Sequence, residues 1–172
     1  MAERQKNILR RVLQRLNEND IPLNKITLQK IIYFLRESGL PVGYRFEAWT
    51  YGPFSASLAN ALNEMTILGE ISPNEEGYTY SITEMHNIQL DPDQSVEIEN
   101  AVDAFLEMVE NKFDFKTMEL VGTVIYCHSS LKSVGHDPDE KSLLEEFLGW
   151  KGDKYTEQEI LKTYRRIRDH LQ

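Results

Sequence analysis

Between Asn7 and Asn17 the chain sets Ile8, Leu9, Val12, Leu13 and Leu16 on one face of a helical repeat and Arg10, Arg11, Gln14 and Arg15 on the other. That pattern predicts a first amphipathic helix. After Pro22 a second helix is expected to open near Thr27, whose hydroxyl can cap it, with Leu28, Ile31, Ile32 and Leu35 as its apolar stripe and Gly39 as its stop. From Tyr44 to Thr50 the period changes to two, with Tyr44, Phe46, Ala48 and Thr50 on one side and Arg45, Glu47 and Trp49 on the other, which predicts a short strand. Gly52-Pro53 punctuates that strand. Phe54, Leu58, Ala61, Leu62, Met65 and Leu68 then return to helical spacing before Gly69. The turn-forming run Pro73-Asn74-Glu75-Glu76-Gly77, flanked by Glu70-Ile71 and Tyr78 to Ile82, predicts a β-hairpin.

Beyond the hairpin the pattern is helical. Asp91-Pro92-Asp93-Gln94 has the form of a capped start, and Val96 to Val109 continues it as a long amphipathic helix. Phe115 to Leu131 is apolar on most sides, as a buried central helix would be. Two shorter helices are expected, one opened by Asp137-Pro138-Asp139-Glu140 and running to Leu148, the other opened by Thr156 and running to Leu171. The sequence thus predicts a mainly α (α+β) fold in a single domain, residues 1–172. Residues 1–85 form a winged-helix-like unit with a small hairpin, and residues 90–172 a helical bundle.

Charge changes this picture. The net charge is -9, yet residues 1–45 carry nine Lys/Arg against four Asp/Glu, residues 46–150 four against twenty, and residues 151–172 six against four. Scattered solvated faces would account for such a distribution; the sharper readings are that the basic ends lie against the acidic middle or that each faces its own partner. The expected reading helix of a winged-helix unit, Phe54 to Leu68, contains no Lys or Arg, and the hairpin tip offers Glu75 and Glu76 where a wing would meet phosphate. Nucleic acid is therefore not the expected partner. The alternative, a DNA-binding transcriptional regulator, would have to use Arg10, Arg11 and Arg15 of the first helix or Arg165 and Arg166 of the last.

No candidate reaction emerges. Cys127, the one cysteine, lies in the most apolar helix and reads as an inert buried thiol. His128 and His136 lack converging ligands, Ser129 and Ser130 lack a glycine-flanked elbow, and no glycine-rich phosphate loop occurs. The expectation is a non-enzymatic protein with no cofactor and no metal. The polar start, the lone cysteine and the lack of any apolar run near the roughly 20 residues of a membrane span point to the cytoplasm.

The two motifs Leu28-Gln29-Lys30-Ile31-Ile32-Tyr33-Phe34 and Phe46-Glu47-Ala48-Trp49-Thr50-Tyr51-Gly52-Pro53-Phe54-Ser55, followed by Leu58 and the hairpin after Gly69, resemble the Panacea antitoxin-domain (SocA-like) family. They are equally similar to the related YwgA-like bacterial proteins. The likeness covers roughly residues 5–82. It implies a cytoplasmic, largely helical domain, often associated with phages or mobile elements, that neutralises a toxin or serves as an adaptor. The expected function is accordingly a protein-interaction module that holds a partner, such as a basic toxin, through its acidic middle and an aromatic edge. Lys30, Tyr33, Trp49, Tyr51, Gly52 and Pro53 are the candidate partner-binding residues, with Trp49 and Tyr51 expected on the exposed strand face. A homodimer is left open.

Overall fold

The computed structural model describes residues 2–171. The chain opens with α1 (Ala2–Glu18), whose Ile8, Leu9, Val12, Leu13 and Leu16 are fully buried, as their spacing requires. A two-residue strand, β1 (Leu23–Asn24), leads into α2 (Lys25–Glu37). Next come a hairpin of β2 (Glu47–Trp49) and β3 (Gly52–Phe54), helix α3 (Ala56–Ile67), and a second hairpin of β4 (Ile71–Pro73) and β5 (Thr79–Ile82). Four helices complete the fold: α4 (Pro92–Met108), α5 (Phe115–Ser133), α6 (Glu140–Lys151) and α7 (Glu157–Ile167), with a final 3-10 turn at Arg168–His170. The mainly α, α+β class read from the sequence is the observed one.

The strands form two small antiparallel sheets. In the first, in the order β1-β5-β4, the strand between the first two helices pairs with the second hairpin, Leu23 opposite Tyr80 and Ile71 opposite Ile82. The second is β2-β3 alone, with Glu47 opposite Phe54 and Trp49 opposite Gly52. Helix α5 is the pillar. It meets α2 and β3 on one side and α6 and α7 on the other, while α4 crosses α1 and α2. An aromatic ladder of Phe46, Tyr33, Tyr126 and Trp150, with neighbouring ring centroids 5.1 to 6.2 Å apart, ties the N-terminal elements to α5 and α6.

Several boundaries differ from expectation, each for a local reason. Gly52-Pro53 does not end a strand; it begins one. The turn is Thr50-Tyr51, Gly52 sits at φ +99°, and Pro53 is tolerated in β3 because a two-stranded ribbon leaves its missing N–H on an open edge. Tyr44 is buried in the approach to β2, outside the strand. Thr27 does not cap α2, which starts two residues earlier with Asn24 at its N-cap. Helix α6 is capped by Asp139 in a reciprocal box with Ser142, where Asp137 was expected to cap. Asp91 caps α4 and Thr156 caps α7, the latter in a box with Glu159, as their spacing predicts. No helix among the described residues is long and apolar enough to cross a membrane.

Candidate functional site: an aromatic groove between two hairpins

Where the N-terminal end of α2 emerges between the two hairpins, the surface folds into an open groove of about 770 Å³. Five segments of chain line it. The first hairpin contributes Trp49, Tyr51 and Phe54, the second Tyr78 and Tyr80, and the α4–α5 connection Phe113 and Phe115. Ile26 and Leu62 complete the apolar wall, and Asn24, Lys25, Gln29, Lys30 and Asn63 supply the polar groups. No carboxylate is among the lining residues. Trp49 stacks on Phe54 at 4.8 Å between centroids, and Tyr51 meets Phe115 edge-on at 4.7 Å. Even so, Trp49 is 57% exposed, Tyr51 50% and Tyr78 69%.

The first hairpin is held to the core by the residues of the two motifs themselves. Gln29 grips both backbone groups of Ser55, its amide nitrogen donating to the carbonyl at 3.0 Å and its oxygen accepting from the N–H at 2.8 Å. Ser55 in turn caps α3 by accepting from the Leu58 N–H. Lys30 runs across α5 and donates from Nζ to the Pro53 carbonyl at 2.8 Å. That crossing depends on Gly122 of α5, because a Cβ there would lie 2.7 Å from Lys30 Cδ. A third tie comes from Lys151 at the end of α6, which donates to the Thr50 carbonyl at 2.5 Å and to Glu119 at 3.1 Å.

Electrostatics at the floor are unusual. Glu119 is fully buried, and hydrogen bonds from Lys154, Tyr155 and Lys151 outweigh the desolvation that would raise its carboxyl, which stays below the ordinary range. Lys30 lacks such compensation. Desolvation first, then the charge of Lys151, bring its amine down from 10.5 to about 7, and the attraction of Glu119 recovers only part of this.

Of the six candidate partner-binding residues, Trp49, Tyr51, Lys30 and Gly52 converge on the groove. Trp49 and Tyr51 are exposed, as the strand alternation predicts. Tyr33 and Pro53 are corrected. Tyr33 is 2% exposed, clasped by Phe46 and Tyr126 beneath α5, and Pro53 is buried against α2, so neither offers a surface to a partner. Lys30 and Gly52 are buried too and can act only from the groove's floor. Tyr78, Tyr80, Phe113 and Phe115 were missed, because only the folding of distant segments brings them beside Trp49. One signal was available: Phe113 and Phe115 flank Asp114, the N-cap of α5, so one ring lies just before the helix and the other in its first turn.

The arginines of the DNA-binding alternative are otherwise engaged. Arg10, 2% exposed, forms a two-pronged pair with fully buried Glu70 at 2.7 and 3.2 Å. Arg11 bonds Glu99 at 2.5 Å and Glu18 at 3.1 Å, and Arg15 bonds Asp103 at 2.7 and 3.0 Å. Arg165 reaches Glu140 at 2.5 Å, and Arg166 reaches the Met108 carbonyl at 3.0 Å and Glu110 at 3.1 Å. The basic ends thus lie against the acidic middle. Burial pushes the Cys127 thiol up to about 12, in keeping with an inert core cysteine. No group of three or more His, Cys, Asp and Glu side chains gathers into a metal-binding cluster among the described residues.

Comparison with known proteins adds no assignment: no family model matches the chain, and no curated protein matches it.

Proposed function

We propose that the protein is a non-enzymatic interaction module of the antitoxin or adaptor kind, whose groove receives an apolar segment of a partner protein. The observation that carries this reading is the set of seven aromatic rings converging in one open groove, with Trp49, Tyr51, Tyr78 and Phe115 exposed. Aromatic side chains left in water as a contiguous set mark interfaces, and Trp and Tyr supply a large share of binding energy where they are fully desolvated. The rim carries carboxylates that the lining lacks. Exposed Glu47 shares a strand face with Trp49, and exposed Glu75 and Glu76 occupy the tip of the hairpin that bears Tyr78. A basic partner would meet these carboxylates while its apolar segment enters the groove, and charge of this kind governs the rate and register of encounter.

The likeness of residues 5–82 to Panacea domains supports the antitoxin or adaptor part of the reading. Chain order supports the winged-helix-like part, since the strand between the first two helices pairs with the hairpin that follows the third. No cation is present on α3 to read DNA.

The test is affinity capture at low salt from the native host, followed by calorimetry with the purified partner and with the W49A/Y51A variant. A stoichiometric partner whose affinity falls at least about tenfold in the variant is expected. Undiminished binding by the variant, or no stoichiometric partner at all, overturns the reading.

A further inference from the structure

The amine at the groove's floor has a chemistry of its own. Lys30 is 2% exposed, is in ion-pair contact with no carboxylate among the described residues, and makes its one described hydrogen bond to the neutral carbonyl of Pro53. The acid that acts on it, Glu119, is already occupied by Lys151, Lys154 and Tyr155, and the Lys151 ammonium adds repulsion. A lysine so placed sheds its proton near neutral pH and becomes a nucleophile. Two glycines let the backbone pass close to it, since a Cβ on Gly52 would stand 3.2 Å from Nζ and one on Gly122 would strike the stem. The groove that it floors is walled by aromatic rings, which suit a flat aromatic ligand.

We propose that Lys30 is a carbonyl-capturing amine that condenses with an aromatic aldehyde seated among the rings of the groove. The Nζ lone pair attacks the carbonyl carbon and a C–N bond forms. The carbonyl oxygen takes up protons and leaves as water, and the product is an imine. Protonation of that imine gives an iminium whose single N–H can keep the hydrogen bond to the Pro53 carbonyl. Aldehyde and amine are the only reactants, and no electrons are exchanged with a third party.

Incubation of the purified chain with benzaldehyde and sodium cyanoborohydride near neutral pH would trap the imine as a stable benzylamine. Peptide mapping by mass spectrometry should find Lys30 modified about tenfold or more faster than the average of the other nine lysines. K30M should lose that adduct while keeping the circular dichroism of the wild type. Modification spread over other lysines with Lys30 untouched, or no adduct at all, overturns the proposal on the wild-type map alone. An undiminished adduct yield in K30M does the same.

Discussion

Lys30 shows how one side chain can be an anchor and a liability together. In the folded chain its amine titrates near 7, whereas the unfolded chain holds the proton up to about 10.4. Across that window the unfolded state binds more protons, so the contribution of Lys30 to stability rises with pH, and its penalty is complete below 7. Lys151 and Glu119 are the charged groups that face it, one lowering and one raising the amine. Replacing Lys30 with Met removes the titrating group but leaves the Pro53 carbonyl unpaired. Denaturant unfolding of wild type and K30M over this range should show the difference moving in favour of the wild type, by up to about 1.4 kcal/mol per pH unit. Parallel pH profiles would show that the buried amine keeps its proton.

At the scale of elements, the seat of the first hairpin is built into helices that look self-sufficient in sequence. Gly122 in the middle of α5 gives up helix propensity, and what it provides is a slot for the Lys30 stem. G122A should gain about 1 kcal/mol of propensity and lose about 1–3 kcal/mol to overlap with Lys30 Cδ, for a net change between about zero and a loss of about 2 kcal/mol. In a K30A background, where Cδ is gone, the same change should stabilise; a double-mutant cycle from urea unfolding measures the coupling, and additive effects would refute the slot. The amphipathic helices and the caps at Asp91 and Thr156 were legible because their signals lie within a few neighbouring residues. β1 and β3 were not, since Leu23 pairs with Tyr80 and a Gly-Pro pair becomes a strand only through its partners Trp49 and Ala48. Burial of Lys30 escaped for the same reason: the apolar stripe of α2 marks one face, but α5 and the hairpin cover another. Two of the seven rings of the groove, Trp49 and Tyr51, could be read as exposed from strand alternation. The remainder depends on rings that meet only once β5 and the α4–α5 connection are in place.

Across the whole molecule, the segregation of charge seen along the chain is used internally. Glu70, Glu99 and Asp103 take up the arginines of α1, Glu140 and Glu110 those of α7, and Glu119 the lysine that ends α6 and the one just after it. Little of the basic character counted at the two ends remains for phosphate. A mobility-shift titration with duplex DNA from upstream of its own gene should show no retardation even at low ionic strength, where phosphate contacts are strongest. A shift there that weakens steeply with salt would restore the regulator reading. One ammonium also joins parts of the chain that are 101 residues apart: Lys151 holds the turn at Thr50 with the same Nζ that it shares with Glu119. The tip of the hairpin and the last turn of α6 are therefore a single mechanical unit. A ligand on Trp49 and Tyr51 that favours this hydrogen bond would favour the packing of α6 with it, and loosening α6 would weaken the grip by an equal free energy.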